Sequence, residues 1–127
     1  MDEWQLIAQD AHFSWMQGEA LETLRNCFDP KTEEIPAGES GESGGRLGYL
    51  LEGCAMLNGE KLSAGSLVGI CAGGSRGYAR SDDRITAVSA CKVLWFPWDA
   101  LEFACYRGCW FHARFLREIQ IILGNEP

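Results

Sequence analysis

Six cysteines, at positions 27, 54, 71, 91, 105 and 109, and two histidines, His12 and His112, are the side chains best suited to holding a metal. Cys105, Cys109 and His112 would share one face of a helix that ran through all three, and thiolate and imidazole are zinc ligands. Gly108 interrupts that helix, and no fourth ligand follows. None of the cysteines forms Cys-x-x-Cys, and most sit inside apolar segments. They read as buried thiols in a reducing compartment, with no metal called. A second candidate is the run Gly69-Ile70-Cys71-Ala72-Gly73-Gly74-Ser75-Arg76-Gly77, a glycine-rich loop whose backbone N–H groups could form an anion nest. It lacks the Gly-Lys-Ser/Thr order of a P-loop. The simpler reading is a surface connection with Arg76, Arg80 and Arg84 in solvent. No nucleophile–base pair is legible: the carboxylates are scattered, the serines lie in loops, and neither histidine has a partner fixed by spacing. No enzyme is expected and no cofactor is called for.

Size and charge narrow the partners. The 127 residues make one domain with a sizeable core; 46% are hydrophobic and five are tryptophan, too apolar for a disordered chain. The net charge of -7 repels phosphate backbones, so the chain itself is a poor nucleic-acid binder. Met1-Asp2-Glu3 shows no basic region leading into an apolar stretch, so no secretory signal is read. No apolar run approaches the roughly 20 residues of a membrane helix. A cytoplasmic protein without membrane contact is expected.

The elements that must position these residues follow from periodicity. Residues 2–29 are helical in pattern: Trp4, Ile7, Ala8, Ala11 and Trp15 recur at helix spacing, Gly18 interrupts, and Leu21, Leu24, Cys27 and Phe28 form a second stripe. Asp29-Pro30 stops it. Short strands are expected at Thr32–Ile35, Gly48–Leu51, Cys54–Leu57, Lys61–Leu62 and Leu67–Ile70, about eight in all. Asn58-Gly59 is a hairpin turn needing φ > 0 at both positions. Gly38, Gly41, Gly44 and Gly45 with two serines read as a flexible polar loop. Ile85–Phe96 alternates and reads as one long strand, ended by Pro97. Trp98–Cys105 reads as a short helix. Cys109–Leu123 reads as the last one, with a stripe of Phe111, Phe115, Ile119 and Ile122 widened by Leu116 and Leu123.

Several pieces match a known pattern in order and spacing. Pro36-Ala37-Gly38-Glu39 is a glycine corner after the first strand. Gly48-Tyr49-Leu50-Leu51-Glu52-Gly53 is a strand and turn. Leu62-x-x-Gly65-x-x-x-Gly69 leads into the glycine-rich loop, and Ile85-Thr86-Ala87-Val88 with Lys92-Val93-Leu94-Trp95-Phe96 closes the strands. From about Phe13 to Leu123 the chain resembles the cyclic-nucleotide-binding effector domains of CRP/FNR-type bacterial transcription regulators.

The resemblance implies a mainly β fold: a double-stranded β-helix or jelly roll with N-terminal and C-terminal helices. It forms a single domain over 1–127, with a helical lead-in over 1–29, the roll over 32–96 and helices over 98–123. It also implies a candidate ligand site at Gly69, Ile70, Arg80 and Ser81. The family supplies a Glu directly after the last Gly to accept from the ribose hydroxyl; here Ile70 stands there. Its Arg-Ser pair would be Arg80-Ser81, displaced by about one residue and followed by Asp82 and Asp83. Two carboxylates beside a phosphate site are unfavourable. The expectation is therefore a sensory and dimerisation domain with a degenerate nucleotide site that does not take cAMP. Its partners would be a small anionic effector and a second copy, bound through Phe111, Phe115, Ile119 and Ile122. DNA would be reached only through a helix-turn-helix domain that these residues do not contain. The alternatives are a cupin-like small-molecule or metal-binding protein, which would need His-x-His on a strand, and a pure protein-interaction module.

Overall fold

The computed structural model describes residues 3–10, 13–28, 30–71, 79–80, 82–97 and 110–122. Two helices lead in, α1 (Glu3–Ile7) and α2 (Glu19–Phe28). Ten strands follow: β1 (Lys31–Ile35), β2 (Ser40–Glu42), β3 (Arg46–Glu52), β4 (Ala55–Leu57), β5 (Glu60–Leu62), β6 (Leu67–Val68), β7 (Ile70–Cys71), β8 (Ala79–Arg80), β9 (Arg84–Ala87) and β10 (Cys91–Pro97). A helix, α3 (Trp110–Ile122), closes the described part. The expected helix over Trp98–Cys105 lies outside the described residues.

The strands pair antiparallel in two four-stranded sheets, β1-β10-β3-β6 and β2-β9-β4-β5, with β7-β8 as a separate ribbon. From β1 to β4 successive strands alternate between the two sheets, β4 and β5 form a hairpin within the second, and the chain crosses again from β5 to β6 and from β9 to β10, as in a rolled double sheet. β3 and β10 form the centre of the first sheet, and both are apolar on both faces, as strands covered on each side must be. Val93, Trp95 and Leu50 face the second sheet, packing with Ile35, Ala55, Val68, Ile85 and Ala87. Leu47, Tyr49, Leu51, Leu94 and Phe96 face the helices, packing with Ile7, Phe13, Met16, Phe28, Phe115 and Ile119. Phe115 joins this second core together, with ring centroids 5.3 Å from Phe28, 5.3 Å from Phe96 and 5.4 Å from Phe13.

Between the sheets, Trp95 sets the geometry. Its register partner is Gly48, where a Cβ would lie 2.5 Å from the indole. The indole nitrogen donates to Glu33 Oε1 at 2.9 Å, and the Arg46 guanidinium stacks 4.6 Å from the ring. A tryptophan thus fits between the sheets because one residue opposite has no side chain and its polar atom reaches the edge.

Four local readings change, the last of them at Gly69, where Leu67–Ile70 divides into β6 and β7. The predicted lead-in helix does not run on to Trp15: α1 stops at Ile7, and bonds of i to i−3 type at Gln9, Asp10, Phe13 and Met16 take over. That tighter spacing buries both Phe13 and Met16 and frees Asp10 to accept from Tyr49. The polar loop over Gly38–Gly45 contains β2, held by pairing with β9 rather than by its own propensity. Ile85–Phe96 is two strands, because β9 belongs to one sheet and β10 to the other. The corner at Val88–Ala90 is fixed by Cys54: its carbonyl accepts from the N–H groups of Val88 (2.8 Å) and Ser89 (3.2 Å), and its N–H donates to Ser89 Oγ at 3.0 Å. The Asn58-Gly59 turn is as read, with φ of 51° and 84°.

Candidate functional site

Three chain segments meet at one corner of the roll. The first joins β2 to β3 through Ser43, Gly44 and Gly45. Arg46, the first residue of β3, holds that turn: its N–H and its Nε both donate to the Ser43 carbonyl (3.0 and 2.9 Å), and Nη2 donates to the Glu42 carbonyl at 3.0 Å. Its guanidinium is thereby committed to the turn and to the Trp95 ring.

The second is the step from β6 to β7 at Gly69. Its φ is +91°, and a Cβ there would lie 2.2 Å from the Arg46 carbonyl and 2.9 Å from the Ser43 side chain. Only glycine satisfies both the backbone conformation and the close approach. The reading of Leu67–Ile70 as one strand breaks here for that reason.

The third segment arrives at β9 through Asp83. Ser43 and Asp83 exchange two hydrogen bonds: Ser43 N–H donates to the Asp83 carbonyl, and Asp83 N–H donates to Ser43 Oγ, each at 2.9 Å. Ser43 is fully buried. The Asp83 carboxylate then crosses to Gly69, accepting its N–H at 2.7 Å. Beside this knot lies a cleft of about 390 Å³ lined by Glu42, Gly44, Asp82, Asp83 and Arg84. Three carboxylates and one guanidinium give it negative character.

The predicted ligand residues separate in this frame. β7 and β8 place Ile70 directly opposite Arg80, so Gly69, Ile70 and Arg80 are neighbours along the backbone ladder. Ser81 lies outside the described residues. Ile70 is 6% exposed and its side chain packs in the helix-side core with Leu47 and Phe115. Of the predicted dimer residues, Phe111 lies in the first turn of α3. Phe115 and Ile119 are each 1% exposed within this chain's own core and have no surface left for a partner, while Ile122 is half-buried. Ser43 and Arg46 were not singled out in the sequence. A serine beside Gly44-Gly45 reads as linker, and an arginine before an apolar strand reads as a solvated end.

Elsewhere, Tyr49 donates to Asp10 Oδ2 at 2.6 Å, and burial with this carboxylate pushes the phenol well above its ordinary range. Burial likewise pushes up the Cys91 thiol, which donates to the carbonyls of Cys54 (3.1 Å) and Ser89 (3.2 Å). Among the described residues no three His, Cys, Asp or Glu side chains come together as a metal set, and no helix is long and apolar enough to cross a membrane. His12 lies outside the described residues.

No family model matches the chain. No curated protein matches it either. Solved structures do. A protein from Geobacter metallireducens GS-15, described as cyclic nucleotide-binding, superposes with a TM-score of 0.68 at 14% identity, covering 98% of each chain. The second cyclic-nucleotide domain of PKAR bound to Sp-2Cl-cAMPS gives 0.60 at 13% identity, covering 97% of this chain and 83% of the other. The N-terminal domain of a transcriptional regulator from Streptomyces coelicolor A3(2) gives 0.57 at 17% identity, covering 94% and 90%. With its two rolled sheets and flanking helices, the chain has the fold of the cyclic nucleotide-binding domains.

Proposed function

We propose that this chain is the effector and assembly domain of a CRP/FNR-type transcription regulator, with a nucleotide site that no longer holds cAMP. The observation that carries the reading is Ile70. It stands where the resemblance calls for a carboxylate to accept from the ribose hydroxyl, and its side chain is buried in the helix-side core. A ribose hydroxyl brought there finds no acceptor from that residue, at a cost of about 1–3 kcal/mol, or roughly ten- to a hundredfold in affinity. The likeness to a regulator's N-terminal domain supports a regulatory rather than catalytic role.

On this reading the domain responds to a small anionic effector other than cAMP or serves assembly alone. It works in the cytoplasm and pairs with a second copy along α3, where, among the described residues, Leu116, Ile121 and Ile122 are half-buried apolar residues still partly open to a partner. DNA is reached through a separate domain.

Thermal unfolding with and without millimolar cAMP and cGMP tests the site. The melting temperature is expected to stay unchanged. A ligand at 100 times its dissociation constant would add about 2.7 kcal/mol of stability, so a clear rise with cAMP overturns the reading, and a rise with cGMP overturns the ribose argument at Ile70. Sedimentation across a concentration series tests the pairing, and a monomer at every concentration removes it.

A further inference from the structure

The Gly69 N–H is the first amide of the glycine-rich loop, and it already has an anion on it. Asp83 Oδ2 accepts its hydrogen at 2.7 Å, the short distance of a charge-assisted bond. Two features make this carboxylate a fixed occupant rather than a passing one. The Asp83 backbone is clamped in both directions to Ser43, a fully buried residue whose bonds meet no competition from water. Gly69 in turn approaches the Arg46 carbonyl more closely than any residue with a side chain could, so backbone packing places the donor as well as the acceptor.

The neighbouring charges point the same way. Arg46 spends its guanidinium on the Ser43 and Glu42 carbonyls and on the Trp95 ring, so it does not face the cleft as a free cation. The cleft has room for a phosphate group, but among the described residues its walls bring the carboxylates of Glu42, Asp82 and Asp83 together with the Arg84 guanidinium.

We propose that Asp83 is a resident anion, holding the loop's first amide and keeping phosphate-bearing ligands out of this corner. Position 83 then decides whether the corner accepts such a ligand. This rests on the reading of the corner as a former nucleotide site.

The test compares the full chain with its Asp83→Ala and Asp83→Asn variants. Inorganic phosphate and then cAMP are titrated while the Gly69 amide is followed by ¹⁵N–¹H NMR. In the unsubstituted chain the amide is expected to lie downfield and to ignore phosphate at tens of millimolar. In Asp83→Ala it moves upfield, then responds to phosphate with affinity about tenfold or more above that of the unsubstituted chain. If the alanine variant does not fold, Asp83→Asn keeps an acceptor oxygen in place without the charge and should show a smaller gain of the same sign. A response to cAMP well below the phosphate range assigns the ligand class to nucleotides; equal responses assign it to the phosphate group alone. Folded variants whose Gly69 amide stays unmoved by phosphate and by cAMP overturn the proposal, and so does an unsubstituted chain whose Gly69 amide answers phosphate. An unsubstituted chain that binds cAMP elsewhere, with the Gly69 amide undisturbed, overturns the functional reading and leaves the resident anion in place.

Discussion

Removing one oxygen atom from Tyr49 gives a stability change whose sign with pH can be worked out in advance. The phenol donates to Asp10 Oδ2 at 2.6 Å, and its ring packs edge-on to Phe13 at 5.7 Å. Tyr49→Phe keeps the ring contact and deletes only the bond that ties the segment after α1 to β3. A hydrogen bond to a charged partner is worth about 1.5–3 kcal/mol. Asp10 is only half-buried, so water can reach it in the variant, and the lower end, about 1.5 kcal/mol, applies. For a domain of this size that is a fall of roughly 5 °C in melting temperature. Burial first, then the Asp10 hydrogen bond and charge, raise the phenol's pKa in the folded state, while an unfolded tyrosine titrates near 10. Below pH 10 both states keep the proton and the contribution is whole. Above it, only the unfolded state gives the proton up, and stability falls by about 1.4 kcal/mol per pH unit. The phenylalanine variant has no such slope. The gap between the two proteins should therefore be full at pH 7 to 9 and close to nothing near pH 11. Urea unfolding of both proteins at pH 7, 9 and 11 measures it. A gap under about 0.5 kcal/mol at pH 7, or one that does not shrink by pH 11, refutes the argument.

Two glycines of positive φ should behave differently on substitution by alanine. At Gly59 nothing lies within 4 Å of the added Cβ, so Gly59→Ala costs only the conformational term, about 1–2 kcal/mol by urea unfolding. At Gly69 the same term is joined by a clash with the Arg46 carbonyl and loss of the Asp83 bond. Gly69→Ala should cost at least twice as much, and equal costs would refute the corner geometry. Phe115→Ala should lose about 3–5 kcal/mol at any protein concentration, because the ring is buried in its own chain; a loss confined to a dimeric form contradicts the packing. In the folded protein at pH 8, iodoacetamide should label Cys54 before Cys91, whose thiol is buried and raised in pKa; peptide mass spectrometry showing the reverse order refutes that assignment.

What was legible in the sequence was whatever a short window could carry. β3 and β10 show as apolar runs because both of their faces are covered, and Asn58-Gly59 shows because its turn admits few other residues. β2 did not show: Ser40-Gly41-Glu42 has no strand propensity, and it is a strand because β9, more than forty residues on, supplies the partner. The break at Val88–Ala90 was hidden for a related reason. Alternation continues through both β9 and β10, and what holds the corner between them is Cys54, whose backbone bonds Val88 and Ser89 from more than thirty residues away in sequence. At the candidate site the sequence pointed to Gly69 and to the pair Asp82-Asp83. It could not show that one of them reaches Gly69, because that contact depends on Ser43 holding position 83 in place.

The same bonds that make the corner a poor host for an anion also hold it together. Three segments with little secondary structure of their own converge there, and a bound ligand would join them by giving each a common partner. Here the joining is internal: Ser43 links the β2–β3 turn to the start of β9, and the Asp83 carboxylate links that point to the β6–β7 step. Folding stability and ligand exclusion are then one property of one residue. It follows that Asp83→Ala should lower the stability of the unliganded domain, by about 1–3 kcal/mol for a charge-assisted bond to a partly buried amide. If the corner can take phosphate once the carboxylate is gone, phosphate should restore part of that loss in the variant and none in the unsubstituted chain, by simple linkage. A variant destabilised to that extent but not rescued would mean that Asp83 serves the fold alone. A variant as stable as the original would mean that the three segments need no common partner.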